Sequence, residues 1–138
     1  MKISARVHNS QGQHQVVLST NNNTHSLTIA PKPSGLGSST NGGELLFLAL
    51  ATCYCNDLYR EAAKRGIKVE AVEVEVEGEF GGEGEAAKRI SYWAKVKAEA
   101  SAEEIRELMR YTDTVAEIQN RLRAGIKVEL EELEAVMV

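Results

Sequence analysis

The sequence feature that most constrains the fold is an uninterrupted apolar run, Leu45–Ala51, inside a predicted long helix. The helix is predicted from about Gly43 to Arg65, and Gly66 follows it, a residue type favoured just past a helix end. A bilayer crossing needs roughly 20 apolar residues, so this seven-residue run is a buried helix segment and not a membrane span. The first half of the predicted helix is apolar on nearly all sides, so we expect that half to be buried. A chain of 138 residues supplies little cover, which predicts a two-fold homodimer that wraps the helix.

The rest of the chain alternates between patterns typical of strands and of helices. Period-two alternation predicts three N-terminal strands in an antiparallel meander, and a near-strict alternation over residues 69–77 predicts a hairpin with residues 90–98. Ser101 and Glu104 form a capping box that opens a helix to Arg110, and Thr112 or Asp113 is predicted to cap another. Residues 126–130 are predicted as a last strand. The order βββ-α-ββ-αα-β indicates a single α+β domain over residues 1–138.

Composition and local sequence patterns argue against several classes of function. The net charge of −4 argues against a nucleic-acid partner, which usually requires a basic face. The N-terminus has no apolar stretch of the kind that a signal peptide needs, and no segment suits a membrane, so we expect a cytoplasmic protein. The glycine-rich residues 31–43 lack the Gly-Lys-Ser/Thr ending of a phosphate-binding loop, and we expect no cofactor.

Two cysteines, Cys53 and Cys55, lie on the predicted central helix. Residues two apart on a helix point roughly 200° from each other, so we expect no disulfide between them and no metal chelate. Cys55 lies on a side of the helix whose other residues are mostly apolar, so it is predicted to be a core residue. Cys53 shares a stripe that begins apolar and continues to Asp57 and Arg60, so its thiol can reach both a pocket and a charge.

The segment from Ser39 to Cys53, Ser-Thr-Asn-Gly-Gly-Glu-Leu-Leu-Phe-Leu-Ala-Leu-Ala-Thr-Cys, resembles the helix signature of the OsmC/Ohr superfamily. Members of this superfamily include bacterial thiol peroxidases that reduce organic hydroperoxides. Arg121–Val128 is similar to the closing helix and strand of the family. The resemblance implies an OsmC-like fold, an intertwined homodimer with active sites at the subunit interface, and Cys53 as the thiol that attacks peroxide.

The sequence departs from the family pattern at three functional positions. Ala116 occupies the place of the second cysteine, so an external thiol must resolve oxidised Cys53. Gly43 occupies the place of the family glutamate; Glu44 follows it and is the candidate catalytic carboxylate, although with Asn41 it also fits a helix-capping pair. The family arginine is absent from the first strand connection, which leaves His14, Arg6 and Arg60 as candidate binding residues.

Two hypotheses follow from these residues. The first is an OsmC-like stress-response protein in which Cys53 reduces or senses organic hydroperoxides with an external thiol. The second is a non-enzymatic OsmC-like dimer whose interface pocket binds a small apolar or acyl ligand, with Cys53 contributing only to packing.

The apolar run predicts that the protein is an obligate homodimer. We expect solution scattering at micromolar concentration to give a molecular mass near twice the 15.1 kDa of the chain, because one copy cannot cover the helix. A folded, stable monomer under these conditions would contradict the prediction.

Overall fold

One long helix and two separate antiparallel sheets dominate the computed structural model, which describes all 138 residues. The observed α+β architecture has three helices and two small sheets, as the sequence predicted. It divides into two units, Met1–Leu46 and Phe47–Val138. The elements in chain order are β1 (Ile3–Ser10), β2 (Gln13–Thr20), β3 (Asn23–Ser26), α1 (Gly42–Lys64), β4 (Lys68–Phe80), β5 (Ala87–Glu99), α2 (Ala102–Val115) and α3 (Glu117–Ala124).

The N-terminal unit contains the predicted meander, in strand order β1-β2-β3. The turn between β2 and β3 is made by Asn21 and Asn22, whose φ angles are 48° and 69°. Asparagine tolerates this left-handed conformation better than most residues, and two such residues in sequence match the twist of a tight hairpin. Val16 of β2 is the buried apolar residue of this sheet.

The C-terminal unit contains the hairpin of β4 and β5. Valines of β4 alternate with glutamates, so the valines turn one face of the hairpin toward the core while the glutamates remain exposed. Both strands extend beyond their predicted ends. Gly78 lies within β4, where a side chain would collide with the carbonyl of Arg89 and the ring of Phe47, so glycine permits this close approach.

The core of the C-terminal unit forms where α1 packs on this hairpin and on α2. Tyr54, Leu58 and Ala62 are spaced four residues apart on one face of α1, and Leu108 of α2 meets them. Partly buried side chains from both strands surround this cluster. They are Val69, Val72, Val74, Tyr92, Ala94 and Val96.

The boundary between the last two helices differs from the prediction. Thr112 and Asp113 do not cap a helix, since α2 continues to Val115 and the chain breaks at Ala116. The Thr112 hydroxyl is buried and donates to the Leu108 carbonyl, a bond that a threonine inside a helix can make with the preceding turn. The capping box of Ser101 and Glu104 is confirmed, because each side chain accepts from the other residue's backbone N–H.

Two further expectations are wrong for the single chain. Residues 126–130 form no strand, because no strand edge of this chain pairs with them, and Val128 is 89% exposed. The first half of α1 is not fully buried either. Leu48 is 55% exposed, and Ala49 beside it is also exposed, so one side of the apolar run is uncovered within one copy. None of the three helices combines the length and apolar character needed to cross a membrane.

Substitution of Leu58 tests the core. Leu58 is fully buried, so Leu58→Ala removes packed methyl groups and leaves a cavity. We expect the free energy of unfolding to fall by about 2–5 kcal/mol in denaturant titrations. The matched control is Leu133→Ala, at a leucine that is 84% exposed, which should change stability by less than about 0.5 kcal/mol. Equal losses for the two variants would contradict the assigned core.

Candidate functional site

The spacing of three residues on α1 builds the centre of the site. Cys53 and Asp57 are one helical turn apart, and the Cys53 thiol donates to Asp57 Oδ2 over 3.3 Å. Arg60 lies three residues further, and its guanidinium bonds Asp57 Oδ1 at 3.0 Å. The predicted stripe from Cys53 to Asp57 and Arg60 is therefore a contiguous set of contacts.

The start of α3 completes the site from a distant part of the sequence. Glu117 opens this helix, and its carboxylate lies 3.9 Å from the Cys53 sulfur and 3.2 Å from Arg60. The backbone N–H of Ile118, the next residue, lowers the pKa of the Cys53 thiol. Ala116 is the N-cap of α3 and is fully buried. The residue in the place of the family's second cysteine therefore adjoins the residues that contact Cys53.

Side-chain bonds hold α3 beside α1. Gln119 is buried, and its Nε2 donates to the carbonyl of Leu50 over 2.9 Å, one turn before Cys53. At the other end of α3, Arg123 bonds the Asp113 carboxylate at 2.6 Å. Tyr92 of β5 donates to the same carboxylate. These contacts fix the start of α3 against the turn of α1 that carries the thiol.

The surroundings of Cys53 favour the protonated thiol. Burial raises the pKa of Cys53 above its usual value, and the Asp57 hydrogen bond together with the charges of Asp57 and Glu117 raise it further. The Ile118 N–H acts in the opposite direction, because it stabilises a thiolate. At neutral pH the sulfur is therefore mainly a thiol that donates its proton toward Asp57.

Asp57 and Arg60 form a charged pair beneath this thiol. Burial raises the pKa of Asp57, and Glu117 raises it further, whereas the Cys53 thiol and the Arg60 charge lower it. A carboxylate with a raised pKa is a stronger proton acceptor than an ordinary aspartate. Arg60 bonds Asp57, Glu61 and Glu117, and its permanent positive charge offsets part of their negative charge.

Cys53, Asp57 and Glu117 also form the group whose ligand types could hold a metal ion. One ligand atom from each residue lies within 4.8 Å of the other two. However, the Arg60 guanidinium already bonds both carboxylates, and its positive charge opposes a cation at the same place. The donor set therefore fits proton transfer at the thiol better than metal binding.

Cys55 lies on another side of α1 and is not sealed in the core, so that expectation is wrong. It is half-buried and lines a shallow hollow of about 240 Å³ between α1 and β4. Apolar groups dominate this hollow because Val72 and Val74 of β4 face it. The remaining lining residues are Ala51, Thr52 and Asn56. Both cysteines are free on one unbroken helix, in agreement with the expected absence of a bond between them.

The other candidate residues from the sequence lie in the N-terminal unit. Glu44 caps α1: it accepts from the Asn41 N–H at 3.0 Å, while Asn41 Oδ1 accepts from the Glu44 N–H at 2.8 Å. The capping interpretation of Glu44 is thus confirmed, and its catalytic role stays a prediction. Gly43 precedes it in the first turn.

The basic candidates separate into two groups. Arg60 contacts Asp57 and Glu117, the two carboxylates beside the Cys53 thiol. His14 and Arg6 lie on the β1–β2 hairpin, where His14 Nδ1 is 3.1 Å from the Asn9 side-chain amide and Arg6 pairs in register with Val17. Their roles as binding residues stay predictions.

Sequence reasoning missed Glu117 as a neighbour of the thiol. The signal was available, because Ala116 aligned with a cysteine that in the family must reach the reactive thiol. The residue next to such a position is also expected near Cys53. What the pattern did not reveal is that α3 starts at Glu117 and so brings its first residue to the sulfur.

Comparison with protein families gives one consistent result. The sequence profile of the OsmC-like protein family matches residues 35–131, which is more than half of the chain. The matched range includes Cys53, Asp57, Arg60 and Glu117. No curated protein sequence matches the chain.

Solved structures share the fold at low sequence identity. A crystal structure of an OsmC-like protein from Mycoplasma pneumoniae is 15% identical with a TM-score of 0.62, and the match covers 87% of each chain. An organic hydroperoxide resistance protein OsmC from Legionella pneumophila is 19% identical with a TM-score of 0.54, covering 89% of this chain and 90% of that one. At such identities the similarity demonstrates the fold alone.

Substitution of Arg60 tests the electrostatics of the site. Arg60→Gln removes the positive charge that offsets Asp57 and Glu117, so we expect the pKa of Cys53 to rise and its alkylation at neutral pH to slow. Arg60→Lys keeps the charge and should retain most of the native rate. The measurement is the pH dependence of iodoacetamide alkylation in a Cys55→Ser background. An unchanged pH profile in Arg60→Gln would show that this guanidinium does not act on the thiol.

Proposed function

Because this chain belongs to the OsmC-like protein family, we propose that it is a stress-response protein in which Cys53 reduces or senses organic hydroperoxides. The observation that carries the proposal is the hydrogen bond from the Cys53 thiol to Asp57, a proton acceptor held by Arg60. A thiol peroxidase requires a thiolate at the moment of attack, and this pair supplies a route for the proton.

The first step transfers one oxygen atom to sulfur. Asp57 accepts the thiol proton, and the Cys53 thiolate attacks the terminal peroxide oxygen. The O–O bond breaks as the S–O bond forms, which gives the sulfenic acid and an alkoxide that takes up a proton to become the alcohol. Sulfur loses two electrons and the peroxide gains them. The Ile118 N–H stabilises the thiolate that reacts.

The second step needs a thiol from outside the chain. Ala116 cannot form a disulfide, and Cys55 lies on another side of α1, so neither residue resolves the sulfenic acid. An external thiol condenses with it to a mixed disulfide and releases water, and a second thiol then regenerates Cys53. The similarity in fold to an organic hydroperoxide resistance protein from Legionella pneumophila supports this class of substrate.

We also propose that the working form is a homodimer with the sites at the subunit interface. The exposed side of the apolar run at Leu48 supports this, since a second copy would remove it from water. The unpaired residues 126–130, with exposed apolar residues at alternate positions, support a strand that pairs only within the dimer.

The hollow beside Cys55 favours a second candidate function. Its apolar lining and its volume of about 240 Å³ suit a small apolar or acyl group. In that case the protein is a non-enzymatic ligand-binding dimer, and Cys53 contributes to packing only.

Intact mass spectrometry after exposure to tert-butyl hydroperoxide distinguishes the two functions. We expect native protein to gain one oxygen, or one equivalent of an added thiol, while Cys53→Ser gains neither. Cys55→Ser is the matched control and should be oxidised like the native chain. Peroxide consumption that persists in Cys53→Ser would refute the assignment, and an unmodified Cys53 at millimolar peroxide would favour the ligand-binding function.

A further inference from the structure

The charges around the Cys53 sulfur are predominantly negative. Two carboxylates lie within 4 Å of it, Asp57 at 3.3 Å and Glu117 at 3.9 Å. Two cations belong to the same network, but Arg60 bonds the carboxylates and Lys64 bonds Glu61, and neither is a hydrogen-bond partner of the sulfur. The charged groups in contact with the sulfur are therefore both carboxylates.

Glu117 is the part of this charge that solvent reaches. The Asp57 side chain is 9% exposed, whereas that of Glu117 is 65% exposed at the start of α3. A hydrogen bond from its own backbone N–H lowers the pKa of Glu117, so this carboxylate is ionised at neutral pH. Of the two carboxylates beside the sulfur, Glu117 is therefore the one that a molecule in water can reach.

The negative charge of Glu117 affects the resolving step, in which an external thiol attacks oxidised Cys53. A thiol that attacks Cys53 sulfenic acid must bring its own sulfur within bonding distance, so any carboxylate it carries comes within several ångströms of Glu117. At that separation unit charges interact appreciably even in water. We propose that Glu117 determines the charge specificity of the thiol partner: Cys53 exchanges with neutral and cationic thiols and disfavours anionic ones. The inference rests on the proposed function in taking Cys53 as the reacting thiol.

Thiol–disulfide exchange with charged reagents tests the inference without peroxide. In a Cys55→Ser background, the Cys53 thiolate attacks a disulfide, one half joins Cys53, and the other half leaves as a thiolate. The reagents are cystamine, which is cationic, bis(2-hydroxyethyl) disulfide, which is neutral, and 3,3′-dithiodipropionate, which is anionic. The quantity measured is the ratio of the cationic rate to the anionic rate, in which changes in the pKa of Cys53 cancel.

We expect Glu117→Gln to lower this ratio by about three- to tenfold, the effect of one partly screened charge near the reacting atoms. Glu117→Asp retains the charge and should keep most of the native ratio. Glu83→Gln, at an exposed residue of the β4–β5 loop, makes the same change in net charge and should have no effect. High salt should reduce the difference between native protein and Glu117→Gln.

An identical ratio in native protein and Glu117→Gln overturns the inference, as does a Cys53 that exchanges with none of the reagents. The outcomes separate from those of the proposed function. A Cys53 that shows the charge preference but is not oxidised by hydroperoxide leaves the specificity intact and removes the peroxidase. Oxidation by hydroperoxide with an unchanged ratio does the reverse.

Discussion

The packing of one face of α1 on the β4–β5 hairpin determines where the Cys53 thiol points. Tyr54, Leu58 and Ala62 occupy that face, and their burial against valines and Leu108 fixes the rotation of the helix about its axis. With this face inward, the stripe of Cys53 and Asp57 must point to the side on which α3 lies. Rotation of α1 by one position would expose Leu58 and separate Cys53 from Glu117, so core packing and site geometry are a single constraint.

The second requirement is that α3 stays beside α1, and polar contacts rather than apolar ones provide this. The eight residues of α3 bury little, but Gln119 bonds the Leu50 carbonyl and Arg123 bonds Asp113. Gln119 Oε1 is buried without a hydrogen-bond partner, which opposes part of the gain from its Nε2 bond. Because α3 is held by a few directional bonds, the start of the helix has a defined position at the sulfur.

Much of the fold could be predicted from sequence because its signals are local. The alternation in β4 and the capping box at Ser101 depend on neighbours in the chain, and both appear as predicted. The last strand does not form within one chain because strand formation needs a partner edge, and residues 126–130 have none here. The predicted helix boundary at Thr112 was wrong because threonine is compatible with two positions. Its hydroxyl can cap the start of a helix, or it can donate to a carbonyl of the preceding turn inside a helix, as it does here.

The contacts of the candidate site likewise divide into local ones, which the sequence predicts, and tertiary ones, which it does not. The contact of Cys53 with Asp57 follows from helical spacing and could be read from sequence, whereas Glu117 arrives through tertiary packing of a helix 64 residues away. This division has a chemical consequence. Helical spacing alone gives a thiol beside a carboxylate, which suppresses the thiolate. The α3 helix adds an N–H donor from Ile118 that opposes this effect, together with a second carboxylate that adds to it. Arg60 bonds both carboxylates, so its positive charge offsets part of the negative charge that opposes a thiolate, in a chain that lacks the family arginine at its usual place.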